Sequence, residues 1–340
     1  MRIQLISGHG VIGGGEQMLL RMAEAMRTLD QKVLVVGPSW GDLGAAVQRR
    51  DVAYRELRGA NRKTYAAELG RYLLRRHGSL MWANGAMPAL AGSFARDPTV
   101  MHLHQEPSVR QAAALRLAAR RAVRVVVPSN FMARNGRHRV ALENWTQELN
   151  ARPALGSREF AEIGYIGRLS VDKGVDLLAQ AVSLLVRDAA FDRPTKLLVA
   201  GDSRFVSGQQ QEAVGEALKQ VPVEVLTLGW IDPAAVYDRV DVCVVPSRWP
   251  EPFGLVAAEA MARECRVIVS NAGALPEVVG ESHPWVFPAH DVEALAITLL
   301  SALTTDRTTP EQLARIRWEE RFSPGVGTER LAGLLADLGL

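Results

Sequence analysis

Cysteine is almost missing from this chain: Cys243 and Cys265 are the only two in 340 residues, and they lack the spacing of a metal-binding pair. A disulfide framework is therefore not expected, and a reducing cytoplasm is the default setting. Long apolar runs are missing too. No segment approaches the ~20 residues needed to span a bilayer, and the opening Arg2–Ser7 is too short for a signal peptide and reads as a buried strand. No fixed short repeat and no low-complexity tract occur, and no lysine segment suggests a bound pyridoxal group. What remains is a chain that is 48% hydrophobic and long enough for two cores.

The net charge of +3 hides an asymmetry. Residues 1–150 hold 22 Lys+Arg against 11 Asp+Glu, and the remainder holds 18 against 26. A basic first half suits an anionic acceptor or a membrane surface. At helical pitch, Arg110, Arg116, Arg120, Arg121 and Arg124 fall within one ~140° arc with an alanine-rich opposite face. That predicts at most an electrostatic surface contact, or simply a solvated face. Nucleic acid is not an expected partner, because aromatic residues do not interleave with the cations.

Short apolar runs alternate with amphipathic stretches, the pattern of parallel sheets with crossover helices. The runs predict strands over Arg2–Ser7, Lys32–Val36, Leu80–Ala83, Thr99–Leu103 and Arg124–Val127. In the second half they predict strands over Glu162–Gly167, Lys196–Ala200, Glu224–Leu228, Val242–Val245 and Val267–Val269. Helices are predicted over Glu16–Leu29, Val175–Val186, Gln210–Gln220 and Leu255–Ala262. Residues 144–158, polar and broken by Pro153 and Gly156, read as the linker. Val125–Ser129 and Cys243–Ser247 both end a buried strand on Pro-Ser, which fits two related doubly wound halves.

Ligands of open α/β sheets gather beyond the carboxyl ends of the strands, and three segments fall there. Gly8–Glu16 is a glycine-rich loop that lets backbone amides approach a ligand. It contains G-x-G-x-x-G, but the next strand ends Val35-Val36-Gly37-Pro38 without the acid that a dinucleotide ribose requires. A dinucleotide-dependent oxidoreductase is thus the weaker alternative. Gly164–Gly174 carries Arg168, a planar fork of donors, and Lys173, a mobile point charge. Pro246–Ala262 places Glu251 just before a helix and Glu259 inside it, within ~80° of each other at helical phase. Glu259 lies among Ala and Met and needs a hydrogen-bonding partner such as a ribose diol.

This ordered set resembles the family-4 retaining glycosyltransferases of GT-B fold. The glycine-rich loop after strand one, Gly167–Gly174 and Glu251-x7-Glu259 carry the resemblance, with Ser270–Glu277 and Arg321-Phe322-Ser323 adding to it. The fold it implies is α/β: two facing Rossmann-like domains with parallel sheets and a C-terminal helix crossing back. Residues 1–150 with 323–340 would bind the acceptor, and 158–322 the nucleotide sugar. Arg168 and Lys173 would bind the donor diphosphate, Glu259 the ribose and Glu251 the sugar hydroxyls. Phe253, Gly254 and Leu255 would complete that pocket, and Gly229, Trp230 and Ile231 would hold the base. Gly13 and Gly14 would face the phosphate and sugar from the other domain, with closure about the linker excluding water. No metal or cofactor is implied beyond a UDP- or GDP-sugar substrate. Removing Lys173 is expected to cost at least about tenfold in turnover and to spare the fold. The family often has paired glycines where this chain has Ala272-Gly273-Ala274, which leaves that loop's geometry open.

His102, His104 and Glu106 alternate along a predicted strand and would share one face. That trio supplies the rival reading, a metal-dependent hydrolase. The resemblance favours His104 as the active-site residue facing the sugar, with His102 buried behind it.

Overall fold

The computed structural model describes residues 2–340 apart from 137, 154, 155, 157, 205 and 306–308. It divides into two compact units, residues 1–147 with 322–340 and residues 148–321. The predicted linker includes residues 154, 155 and 157, which lie outside the described residues.

The first unit holds β1 (Arg2–Ser7), α1 (Gly14–Thr28), β2 (Lys32–Pro38), α2 (Leu43–Gln48), β3 (Ala53–Leu57), α3 (Arg62–Leu73) and β4 (Ser79–Asn84). It continues with α4 (Ala86–Gly92), β5 (Thr99–His102), α5 (Val109–Ala119), β6 (Arg124–Val127), α6 (Asn130–Arg134) and β7 (Arg139–Ala141). Its seven strands lie in the order β3-β2-β1-β4-β5-β6-β7, and each pairing is parallel. Successive residues of a strand point to opposite faces. Ile3 and Leu5 accordingly join Trp82 and the buried side of α1, whereas Ile6 joins Val36 and Met81 against α3. Residues that alternate here are apolar on both sides, as burial of both faces requires.

The second unit holds β8 (Ala161–Ile166), α7 (Val175–Leu185), β9 (Thr195–Ala200), α8 (Gly208–Lys219), β10 (Glu224–Gly229), α9 (Pro233–Tyr237) and β11 (Val242–Val245). After these come α10 (Leu255–Ala262), β12 (Arg266–Ser270), α11 (Leu275–Val279), β13 (Val286–Phe287), α12 (Val292–Thr304) and α13 (Thr309–Arg321). The order β10-β9-β8-β11-β12-β13, again parallel, is the doubly wound 3-2-1-4-5-6 arrangement. The order of strand addition reverses between β8 and β11, so the loops following those two strands flank the crevice.

The last helix, α14 (Pro324–Asp337), belongs to the first unit. Leu331, Leu334 and Leu335 pack into the core beside α1. The chain is held at its entry by the Phe322 carbonyl, which accepts from the Thr146 amide at 3.0 Å, and by Arg330 paired with Glu143 at 2.8 Å.

Three strands escape the apolar-run pattern: β3, β7 and β13. Each sits at or beside the rim of its sheet, where one flank faces no further strand, and β3 is mostly polar (Ala-Tyr-Arg-Glu-Leu). The Pro-Ser likeness does not mark equivalent places. Pro128-Ser129 follows the sixth strand of its unit, near an edge, whereas Pro246-Ser247 follows the fourth, at the centre.

Candidate functional site

In the second unit the loops after β8 and β11 are stitched together. The Asp172 carbonyl accepts the amides of Arg248 at 2.9 Å and Trp249 at 3.1 Å, and the Arg248 guanidinium reaches Asp176 at 2.6 Å. Gly174 makes this contact possible. It sits at φ 73°, and a Cβ there would lie 1.9 Å from the Pro246 carbonyl oxygen. Gly273 does the same for a third loop, at φ 67°, where a Cβ would lie 2.3 Å from the Glu251 amide. One glycine therefore suffices in Ala272-Gly273-Ala274. Both alanines are buried, and Glu251 pairs with Gly273 as an isolated bridge while its carbonyl accepts from the Ala274 amide at 2.8 Å.

Three of the expected residues lie in this stitched region. Glu251 is 7% exposed; its Oε1 accepts from Lys173 Nζ at 2.5 Å and from Ser247 Oγ at the same distance. Ser247 is fixed in turn, since its carbonyl accepts from Ser270 Oγ at 2.6 Å. Arg168 occupies the same loop as Lys173 but is exposed, and its guanidinium has no hydrogen-bonding partner among the described residues. One cation is thus already paired, and the other is available to an anion.

The turn Phe253-Gly254-Leu255 leads into α10, whose first-turn amides lack intrahelical acceptors and whose dipole favours negative charge. Phe253 is buried beneath it. Glu259, on the second turn of α10, lies near the Tyr237 hydroxyl, with its Oε2 at 3.4 Å. Burial, followed by the Glu259 charge, raises the Tyr237 pKa well above the usual range, which keeps that phenol a donor. Gly229 ends β10 at φ 66°, and Trp230 beyond it is 66% exposed, with the Arg204 guanidinium 4.8 Å from its ring centre. Ile231 is exposed beside it. Ser247, Tyr237 and Arg204 were given no role by the sequence, and Gly273 stood out only as a departure from paired glycines. Ser247 lies inside the quoted Pro-Ser motif, but its partner four residues on shows only once the turn is built.

In the first unit the loop after β1 runs into α1 through Gly13, the N-cap, and Gly14, the first helical residue; both are exposed. The Gly13 amide donates to Glu16 Oε2 at 3.2 Å, and burial raises the Glu16 pKa. His104 lies just past the end of β5. Its Nε2 faces Asn84 Oδ1 at 2.6 Å, and Asn84 Nδ2 donates to the Gly15 carbonyl at 3.2 Å. Burial lowers the His104 pKa to about 4.

The metal trio does not assemble. His102 Nδ1 is taken by Trp82 Nε1 at 3.3 Å, His104 Nε2 by Asn84, and Glu106 by Arg139 at 2.6 Å. The strand ends at His102, so the alternation that would align Glu106 with the two rings stops before it. Among the described residues no three His, Cys, Asp or Glu side chains group as a metal site. The arginine arc is also redrawn. α5 ends at Ala119, so Arg124 begins β6 and leaves the helix face. The outward face is not only basic: Val109 and Leu117 are exposed among Arg110, Arg116, Arg120 and Arg121. Among the described residues no helix is long and apolar enough to cross a membrane.

The "Glycosyltransferase Family 4" model matches residues 12–144 and the "Glycosyl transferases group 1" model matches residues 161–305. A glycosyltransferase of Methanocaldococcus jannaschii is 33% identical over 154 residues, which cover 43% of this chain and 37% of that protein. The capsular polysaccharide biosynthesis glycosyltransferase CapM of Staphylococcus aureus is 32% identical over 180 residues, 51% of this chain and 45% of its own. The matched segments therefore span less than half the length of these relatives. Across 99% of this chain, the fold superposes on Anabaena HepE in complex with UDP-glucose with a TM-score of 0.84 at 21% identity, covering all of that chain. Sucrose-phosphate synthase of Thermosynechococcus elongatus gives 0.82 at 20% identity, covering 99% of this chain and 98% of that one. Neither family match leaves support for an oxidoreductase or a metal hydrolase. With one glycosyltransferase domain matched on each of two parallel-sheet units, the chain belongs to the family-4 type of glycosyltransferases and has the GT-B fold.

Proposed function

We propose that the protein is a retaining glycosyltransferase that moves a sugar from a nucleotide-diphosphate sugar, UDP- or GDP-linked, to an acceptor hydroxyl. The observation that carries this reading is the convergence at the switch point of the second unit of Lys173, Glu251 and the start of α10, with unpaired Arg168 in the same loop as Lys173. Negative charge grows on the diphosphate as the sugar–phosphate bond lengthens. Arg168, Lys173 and the α10 amides are preset donors for that charge, where water would have to reorganise. Lys173 leaves Glu251 for the phosphate, and Glu251 turns its oxygen to a sugar hydroxyl. Glu259 and Tyr237 hold the ribose diol, and Trp230, backed by Arg204, gives the base an apolar platform. In the first unit Gly13, Gly14 and His104 attend the sugar and phosphate, and that unit binds the acceptor.

Glu251 is a positioning group in this scheme, accepting from a sugar hydroxyl, and not a covalent nucleophile. Attack from the leaving-group side, with the phosphate taking the proton, keeps the anomeric configuration. The reaction needs no divalent metal, and the natural setting is cytoplasmic. A thermal-shift screen against UDP, GDP, ADP and dTDP identifies the nucleotide. NMR of the product's anomeric proton then reads configuration. Inverted product, or no stabilisation by any nucleoside diphosphate, ends the proposal.

A second, compatible reading concerns the acceptor's location. From Glu106 to Glu143 no acidic residue intervenes, while eight arginines do. Of these, Arg110, Arg116, Arg120 and Arg121 are exposed with Val109 and Leu117 among them, and that face suits an anionic membrane surface, each cation contributing about 1 kcal/mol. Co-flotation with anionic but not zwitterionic vesicles, lost on changing Arg110, Arg116, Arg120 and Arg121 to Gln, is the expected outcome. Equal recovery with both vesicle types rules it out.

A further inference from the structure

His102 is fully buried, yet it is an ionisable side chain in a sheet core that the transfer chemistry leaves unused. Its neighbours fix where its proton lies. The Trp82 indole nitrogen can only donate, so His102 Nδ1, 3.3 Å away, must be the acceptor. A neutral His102 therefore carries its proton on Nε2. The same logic settles His104. The Gly15 carbonyl can only accept, which orients Asn84 with Nδ2 toward Gly15 and Oδ1 toward His104 Nε2. His104 then carries its proton on Nε2 and a lone pair on Nδ1.

The two atoms left over are complementary: His102 Nε2–H is a donor and His104 Nδ1 an acceptor. Both are buried, and neither has a hydrogen-bonding partner among the described residues. The rings are 4.1 Å apart between centroids and tilted by 43°, so the two atoms belong to rings in direct contact. An unmade hydrogen bond between two buried groups is costly, because each has given up water without gaining a partner. Gly15 closes the other side of the pocket, because a Cβ there would lie 3.1 Å from His104 Cδ2.

We propose that His102 is a positioning residue for His104: its Nε2–H closes onto His104 Nδ1, completing a chain from Trp82 through both rings and Asn84 to the Gly15 carbonyl at the start of α1. The chain holds His104 as a neutral imidazole of one tautomer, packed against the glycine-rich loop. Its consequence for catalysis rests on the transferase reading. A His104 locked in this way is a fixed polar wall for the sugar and not a proton donor to the departing phosphate. Burial pushes both imidazoles below their ordinary pKa, consistent with neutral rings at working pH.

The test is tautomer assignment by long-range proton–nitrogen NMR on the histidine-labelled full chain, with no substrate present. Both rings are expected as single Nε2–H tautomers. The His104 Nδ1 resonance should carry the upfield displacement of a hydrogen-bonded acceptor nitrogen; His102→Phe should remove that displacement while Asn84 keeps the Nε2–H tautomer, and Trp82→Phe should leave His102 a mixture of tautomers. His102→Gln, which can both accept from Trp82 and donate to His104, should restore the displaced His104 Nδ1 resonance. In turnover, His102→Phe is expected to lower kcat roughly tenfold, about 1.4 kcal/mol of barrier, with donor KM little changed and His102→Gln partly rescuing. A His104 Nδ1 resonance left unchanged by His102→Phe overturns the proposal, as does a His102→Gln that behaves like His102→Phe. Fixed tautomers in a protein that transfers no sugar would refute the transferase reading and leave the relay standing.

Discussion

Lys173→Met tests the heart of the candidate site, and its effect can be worked through before the measurement. The ammonium lies 2.5 Å from a carboxylate that is 7% exposed. Removing one partner of a buried pair typically costs about 3–5 kcal/mol, because the other charge stays buried and uncompensated. Here Lys173 is a quarter exposed, and Glu251 keeps the Ser247 hydroxyl, so the lower end applies, about 2–3 kcal/mol. For a unit the size of residues 148–321, that is a fall in Tm of roughly 5–10 °C. The fold is therefore not spared, contrary to what Lys173 looks like as a loop cation in sequence. Glu251→Gln alone strands only a partly exposed ammonium that water can reach, a loss of about 1 kcal/mol.

The double variant Lys173→Met/Glu251→Gln separates stability from catalysis. It removes both charges while the amide oxygen introduced at position 251 still accepts from Ser247, so its Tm should return to within about 3 °C of wild type. Turnover should stay low in all three proteins. Losing a preset donor to a developing anion costs about 10²–10³ in rate where it is the main one, and at least about tenfold here, since Arg168 remains. Calorimetry on the four proteins, with nucleotide release measured in parallel, completes the cycle. A double variant that melts as low as the two losses summed would refute the buried pair. One that regains turnover would refute the role given to Lys173.

Three further outcomes are expected. Gly174→Ala should destabilise by more than about 2 kcal/mol, since left-handed strain adds to a backbone clash with Pro246, whereas Gly229→Ala, also left-handed but with open space at its Cβ, should lose about 1 kcal/mol; equal losses in urea melts would contradict the close approach. His102 and His104 bind protons less readily folded than unfolded, so the unfolded chain holds more protons between about pH 6.5 and 4, and their contribution to stability is lost as pH falls through that window. The pH-dependence of urea midpoints should flatten in His102→Gln/His104→Asn, and an unchanged slope would exclude these rings as its source. Chelator should leave nucleotide release largely intact, and full loss that Mg²⁺ or Mn²⁺ restores would show a metal requirement.

The central strands were legible because burial on both faces makes them near-continuous apolar runs: Arg2–Ser7, Arg124–Val127 and Val242–Val245 keep the bounds their sequence suggests. β3 was hidden because its exposed flank tolerates Arg55 and Glu56, and β7 and β13 because they hold only three and two residues. At the site, Arg168, Lys173, Glu251 and Glu259 stood out because each follows a buried strand within a short motif. Their partners did not stand out. Lys173 finds Glu251 across 78 positions, Tyr237 reaches Glu259 across 22, and His104 meets Asn84 across 20. Nothing in the spacing of such pairs marks them, because the sheet order sets the contact.

The Pro-Ser pair makes the same point at one motif. After β6 the serine caps a helix, its Oγ accepting from the Met132 amide at 3.2 Å. After β11 the same dipeptide turns the serine onto Glu251 and ties its carbonyl to Ser270. Identical local chemistry thus closes an ordinary helix in one unit and holds a buried carboxylate in the other. The difference is the slot: β11 borders the strand where the sheet reverses, so its following loop is open to the crevice and meets the loop after β8. β6 lies between two strands running on in sequence, and the serine of its loop starts the following helix. Position relative to the switch point, more than residue type, decides which motif becomes a site. Arg168 and Lys173 follow β8 at that point, whereas the arginines of α5 are cations away from it, which is why the former are proposed for the diphosphate and the latter for a surface.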